Sequence, residues 1–372
     1  MTRTKVIAMY LPQYHQIPEN DEFWGEGFTD WVTVKNAKPL FKGHQQPQEP
    51  LNDNYYDLSV KENIEWQAKL AREYGVYGFG IYHYWFNNEK NLLTKPAEII
   101  RENKNIDINY FYAWDNISWK RSWSNVKEMG NAWAPTIESN VAAAGPSILI
   151  PYIIGSEKDW KKHYNYLLPF FKDSRYIKKN NKPLFLIFHK DENIKQMCSY
   201  WNMLAIEDGF NGINFVYRYE DNMNIDNHDL VFKYEPLYSR WKTPTLYEKV
   251  INKMKNWLHG DDYLKIYDYD RLWKTILYNA EKHVQNFVYH GGVVKYDDTP
   301  RRGKRGVYVK NSNPDKFKYY LTKLLEISSK QGKDFIFLTA WNEWGEGAIL
   351  EPDKQNGYGY LKALKESIIS QQ

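Results

Sequence analysis

Two glutamates three positions apart, Glu343 and Glu346, stand in LTAWNEWGEGAIL (residues 338–350), directly after the apolar run FIFL. A carboxyl pair in unequal surroundings divides acid and base work, one group giving a proton while the other receives one. On a helical turn, positions i and i+3 lie about 5 to 6 Å apart at Cβ. That is compatible with the carboxylate separation of retaining glycosidases, about 5 to 5.5 Å; on an extended segment the two diverge. Trp341 and Trp344 supply low-dielectric walls that raise a carboxyl pKa, and flat faces for sugar rings. The spacing alone suits exposed loop acids paired with lysines equally well. Gly345 and Gly347 favour chemistry, because they permit a sharp turn or close approach to a ligand that a solvated loop does not require.

Such a turn must be positioned by something rigid. Eight short β-branched or aromatic runs recur along the chain, VIAMYL, GFGIYHYW, INYFYAW, PLFLIF, INFVYRY, DLVFKY, NFVYHGGVV and FIFLTAW. Amphipathic stretches of helix length separate them, such as VKENIEWQAKLAREYG and NPDKFKYYLTKLLEISSKQG, with Gly75 and Gly332 closing turns. The pattern predicts an α/β fold, a (β/α)8 TIM barrel over residues 1–372 as one catalytic domain. Long aromatic-rich loops near 16–58 and 117–147 are expected over the C-terminal face. The first of these is too rich in turn residues for a helix and too aromatic for disorder.

Barrels of this kind carry their chemistry just beyond the carboxyl ends of the strands. The residues there are Gln13 and His15; His83, Tyr84 and Trp85; Trp114, Asp115 and Asn116; His189; Tyr217 and Tyr219; Glu235; Asp297 and Asp298; then Asn342, Glu343 and Glu346. One rim is therefore expected to collect acids, histidines and rings. The aromatic share of 17%, with 31 Tyr and 15 Trp, fits a half-wet cleft, since each buried phenol or indole N–H needs a hydrogen-bond partner.

Other chemistries find less support. The net charge of +4 is spread over 50 basic and 46 acidic residues without a basic block, which argues against a nucleic-acid surface. The single cysteine, Cys198, makes no internal disulfide and is expected to pack in a helix. No HxxxH or HExxH spacing supports a metal, no GxSxG elbow supports a serine nucleophile, and GVYGFG has the wrong glycine spacing for a dinucleotide. No metal or cofactor is expected. No apolar run reaches the roughly 18 to 20 residues of a membrane span, and the N-terminal apolar stretch is too short for a secretory signal. The expectation is a cytoplasmic protein without an integral membrane segment, its oligomeric state undetermined.

Five segments, YLPQYHQIPENDEFWGEGFTDWVTVKNAKPLFKGHQQPQEP, YGFGIYHYWFN, LLPFFKDSRYIKKNNKPLFLIFH, YDDTPRRGKRG and AWNEWGEGAILEPD, together resemble the WbsX-like proteins of bacterial surface-polysaccharide clusters. These are similar in turn to glycoside hydrolase family 99. The resemblance implies a (β/α)8 barrel and retaining cleavage of α-linked, mannose-like glycans. It assigns Glu343 as the base on the sugar's own 2-hydroxyl, which attacks the anomeric carbon to give a 1,2-anhydro sugar. Glu346 would protonate the leaving oxygen and then activate water. Where related sequences carry an Ala-Asn-Glu-x-Trp-like element, this chain reads DNISW, keeping Asn116 and Trp119 but placing Ile117 at the acid. A substrate contact is thereby lost or moved to Asp115.

The residues expected to line the sugar cleft are Tyr10, His15, Trp31, His83, Tyr84, Trp85, Trp114, Asn116 and Trp119, then Tyr217, Glu235, Asp298, Trp341, Asn342 and Trp344. The expected function is a glycoside hydrolase or transglycosylase acting on an oligosaccharide or polysaccharide. Two alternatives stand beside it: a glycosyltransferase of O-antigen, lipopolysaccharide or capsule biosynthesis, and a glycan-binding protein of weak catalytic power.

Overall fold

The computed structural model describes residues 3–120, 148–225, 229–245, 248, 253–254, 257 and 263–371. Eight parallel strands form its centre: β1 (Lys5–Tyr10), β2 (Gly78–Asn87), β3 (Asn109–Trp114), β4 (Lys182–Ile187), β5 (Asn214–Arg218), β6 (Leu230–Phe232), β7 (Val288–Val293) and β8 (Phe335–Thr339). Each pairs with the next in chain order, and β8 returns to β1 with Lys5 opposite Phe335, so the sheet closes. These are the eight runs read from the sequence, and the fold is the (β/α)8 barrel expected.

The described helices are α1 (Pro18–Trp24), α2 (Asp30–Asn36), α3 (Lys61–Glu73), α4 (Lys95–Glu102), α5 (Glu157–Phe171), α6 (Glu192–Glu207), α7 (Leu237–Arg240), α8 (Tyr269–Lys282), α9 (Thr299–Arg302), α10 (Pro314–Lys330) and α11 (Gly359–Ile369). The long ones bury a single stripe against the barrel, as Ile64, Ala68 and Ala71 do in α3. Side chains stop their fraying: Asp191, Asp268 and Asn313 each accept the backbone N–H three residues on, at the starts of α6, α8 and α10. Gly75 and Gly332 close turns with φ of 91° and 68°, as expected.

Alternation along the strands decides which side chains see the barrel axis. Phe111, Phe232 and Phe337 meet inside it, with ring centroids 5.2 to 6.0 Å apart. Phe188 and the Tyr82–Tyr234 pair lie one layer higher. This filled interior is the floor beneath the carboxyl-end mouth.

Over the mouth lies segment 16–58. It contains α1 and α2, where the sequence suggested irregular loop; Pro18 at the first turn of α1, with Glu19 and Asp21 following, starts a helix that Gly25, at φ 100°, ends after two turns. The insertion expected at 117–147 lies, from residue 121 on, outside the described residues. Outside the barrel, residues 265–268 pair in parallel with residues 307–310 and hold the end of the segment that carries α9.

Candidate active site

After β8 the chain makes a 3₁₀ turn over Trp344–Glu346 and leaves it through Gly347 in the left-handed region, φ 59°. The turn is therefore helical in kind, and both glutamates face one cation. Arg301, in α9, donates from Nη2 to Glu343 Oε2 at 3.1 Å and from Nη1 to Glu346 Oε1 at 3.0 Å. Its Nη2 also meets Asp30 Oδ2 at 3.0 Å, and its Nε meets Asp30 Oδ1 at 3.3 Å. One planar guanidinium thus spaces three carboxylates, a geometry that the forked donors of arginine suit and a lysine ammonium does not. Gly345 makes room for it: a Cβ there would stand 2.5 Å from Arg301 Nε and 2.7 Å from Asp30 Oδ2.

Burial sets the protonation. The Glu343 side chain is 5% exposed and that of Glu346 19%. Burial pushes the Glu343 carboxyl up to about 8; Arg301 pulls it down, while Glu346 and Asp30 push it further up. Arg301 stays a firm cation, because its three carboxylates outweigh the burial that would discharge it. Tyr82, Tyr84, Tyr234 and Tyr296 face these acids; burial first and then the neighbouring carboxylates hold their phenols well above the usual range, as protonated donors. Asp115 reaches the same mouth, its carboxyl pushed up to about 7 by burial against the pull of Arg218.

A second layer fixes the turn. Asn342 accepts from the Leu11 N–H at 2.7 Å and donates to the Leu11 carbonyl at 3.0 Å, fastening the turn to the end of β1. The Tyr14 hydroxyl donates to the Asn342 carbonyl at 2.6 Å and accepts from the Trp344 N–H at 3.1 Å. Glu351 accepts from Trp344 Nε1, from the Tyr56 hydroxyl and from Gln67, each at 2.7 Å, and burial pushes its carboxyl up to about 7. Trp31 packs on Trp344 at 5.4 Å and on Tyr14 at 4.6 Å, buried behind the turn.

The residues expected on the rim divide by which way their strands point them. Tyr84 and Trp119 lie together at the mouth, their rings 5.4 Å apart. Five others point outward into the helix layer, which corrects their expected place in the cleft. His83 meets His163 of α5 at 2.7 Å, and Trp85 stacks on the same imidazole at 4.2 Å. Trp114 packs on His163 edge-on, and Tyr217 meets Cys198 of α6 at 3.4 Å. Tyr10 is also outward, donating to Gln67 of α3. Burial pushes the His83 imidazole down to about 3, so it is neutral.

The remaining candidates are buried struts. His15 is buried, which lowers its pKa. Asn116 ties the loop after β3 to His189 through both backbone groups, at 2.8 and 2.9 Å. Glu235 binds the Ser239 N–H and hydroxyl of α7, and Asp298 accepts from the Val307 N–H with its side chain and from the Arg301 and Arg302 N–H groups with its backbone carbonyl. Trp341 is fully buried against Phe79. Sequence reasoning missed Arg301, Asp30 and the Tyr82–Tyr234 pair, whose hydroxyls lie 2.8 Å apart. Arg301 follows no strand directly; its one signal was an arginine pair inside the acidic, aromatic segment YDDTPRRGKRG.

Among the described residues, no group of three His, Cys, Asp or Glu is arranged to hold a metal ion, and no helix is long and apolar enough to cross a membrane.

Closed (β/α)8 barrels of this form recur among solved proteins. The solved endo-α-mannosidase of glycoside hydrolase family 99 from Bacteroides thetaiotaomicron shares this fold, with a TM-score of 0.55 and 13% identity over 100% of this chain and 98% of that one. A structure described as a glycoside hydrolase-like protein matches with a TM-score of 0.56 and 12% identity, over 99% of this chain and 94% of that one. The model of the family described as Glycosyltransferase WbsX matches residues 6–364, and the chain belongs to that family. It is also similar to the uncharacterized protein WxcX of Xanthomonas campestris pv. campestris, 28% identical over an alignment 374 positions long that covers 98% of this chain and 49% of that protein. The chain thus spans about half the length of the curated relatives it matches.

Proposed function

We propose that the protein is a retaining glycoside hydrolase or transglycosylase acting on α-linked, mannose-like units of a bacterial surface glycan in the cytoplasm. The observation that carries this is the attachment of Glu343 and Glu346 to adjacent nitrogens of Arg301 at the barrel mouth. Glu343 takes the proton of the sugar 2-hydroxyl as O2 attacks C1. Glu346 protonates the leaving oxygen as the C1–O bond breaks. Water then opens the 1,2-anhydro ring at C1, giving a proton to Glu346, while Glu343 returns its proton to O2; a sugar hydroxyl in place of water makes the reaction a transfer.

A base acting on an alcohol gains from high proton affinity, and burial gives Glu343 that property once it is ionised. Tyr84 can donate to the developing charge, and so can one member of the Tyr82–Tyr234 pair, the other hydroxyl donating within the pair. Arg301 holds the carboxylates at fixed spacing throughout.

The family description favours a second reading, a sugar-nucleotide glycosyltransferase. The charge beside the acids weighs against it: the Arg301 guanidinium is shared by Asp30, Glu343 and Glu346, leaving it little attraction for a diphosphate. A third, a glycan-binding protein of weak catalytic power, draws on Ile117 in the acid's usual place. Incubation with α-mannosidic oligosaccharides, followed by product analysis, separates the three. Shortened or transferred glycans without any nucleotide support the proposal. Chain growth that requires a sugar nucleotide supports the transferase, and binding without turnover supports the third.

A further inference from the structure

On the β5–β6 side of the mouth a cavity of about 310 Å³ opens among Arg218, Tyr219, Asp221, Tyr234, Tyr238 and Trp241. Its size is at the small end of ligand clefts, about 300 to 1,000 Å³, and suits one sugar unit. Tyr234 belongs to both places. Its hydroxyl meets Tyr82 on the floor beneath the acids and feels Glu346, Glu343 and Asp115 electrostatically, and the residue also lines the cavity. The cavity therefore continues the active-site mouth.

The lining chemistry is specific. Trp241 is 54% exposed, a large apolar ring left open at a cavity edge, and Arg240 packs over it at 4.9 Å. Tyr219 and Tyr238 meet edge-on at 5.4 Å, and the Tyr238 hydroxyl donates to Asp221 Oδ1 at 2.8 Å. The charges cancel in pairs: Arg218 with Glu220 at 2.6 Å, and Lys242 with Asp221 at 2.7 Å. Ring faces rimmed by paired, hydrogen-bonding charges suit a neutral pyranose, whose C–H face stacks while its hydroxyls reach the rim. An anionic sugar would have to break one of those pairs.

We propose that this cavity is a sugar subsite, holding a neutral pyranose next to the unit attacked at Glu343 and Glu346. The proposal rests on the glycan reading of the mouth. It makes the enzyme prefer substrates that extend at least one residue past the reacting unit on the β5–β6 side, and it makes Trp241 a determinant of chain length.

The test compares kcat/KM on a series of α-mannosidic oligosaccharides of increasing length for wild type, W241A and W241Y. Direct titration of the same oligosaccharides runs in parallel, and circular dichroism verifies folding. Wild type should gain at least tenfold between a disaccharide and a longer substrate, and W241A should lose most of that gain, an effect on the order of tenfold for one stacked ring. W241Y, which keeps a ring, should recover it. If W241A keeps the wild-type length preference while the wild type cleaves normally, the subsite is wrong and the glutamate pair stands. If wild type neither binds nor cleaves any of the oligosaccharides, the subsite and the glycan reading fall together.

Discussion

Gly345 and Arg301 are in such close approach that any side chain at 345 would collide with the guanidinium, its Cβ standing 2.5 Å from Nε. The glycine between the two acids is thus the space into which their shared cation fits. G345A should displace Arg301 while leaving the barrel folded. A shift on the order of 1 Å in a positioning group costs roughly 10²-fold in rate, so kcat should drop by about that factor with an unchanged thermal midpoint. Wild-type turnover in G345A would show that Arg301 does not position the acids.

Removing the cation without filling its space tests its electrostatic part. Arg301 lowers the Glu343 pKa against the push of burial, so R301Q should raise it further. The pair would then keep its last proton to higher pH, and the alkaline limb of kcat/KM should move to higher pH. A limb that stays in place in R301Q would separate Arg301 from Glu343.

The pH profile tests the raised carboxyl of the pair. Burial pushes Glu343 up to about 8 in the free site, and the proposed reaction needs one proton on the pair, held by Glu346 while Glu343 is ionised. Loss of that last proton stops the reaction, so kcat/KM should fall with an alkaline limb near about 8. A profile that stays flat through this interval would remove the buried pair from the reaction.

Glu235 predicts a stability effect away from the acids. Burial pushes its carboxyl up to about 7 in the folded protein, above the roughly 4.3 of an unfolded glutamate. The folded state therefore binds the proton more tightly. That contribution is fully present below about pH 4.3 and is lost as pH rises through about 7. E235Q, which can still accept from the Ser239 N–H, should flatten the decline in thermal midpoint over this window. An unaltered slope would place the alkaline sensitivity elsewhere.

The barrel was legible because its strands are continuous apolar and aromatic runs with helix-length spacers, a pattern that burial on both faces imposes. What the runs do not reveal is phase at their ends. His83 and Tyr84 are neighbours in GFGIYHYW, yet one packs on α5 and the other faces the acids. Composition weights both equally, and only the register of the closed sheet tells them apart. Arg301 was hidden for a different reason: it arrives from α9, 42 residues before Glu343, and a loop arginine normally reads as solvated. Its partners Asp30 and Gly345 belong to separate segments, and their meeting is a property of the fold.

Turnover by E346Q on two substrates tests the central assignment most directly. On an α-mannosidic oligosaccharide, whose leaving sugar needs a proton, kcat should fall roughly 10² to 10⁴-fold, the usual contribution of a general acid. On an aryl mannoside with a leaving group acidic enough to depart unprotonated, the first bond-breaking step should proceed at close to the wild-type rate. Hydrolysis of the oligosaccharide by E346Q at the wild-type rate would contradict the account.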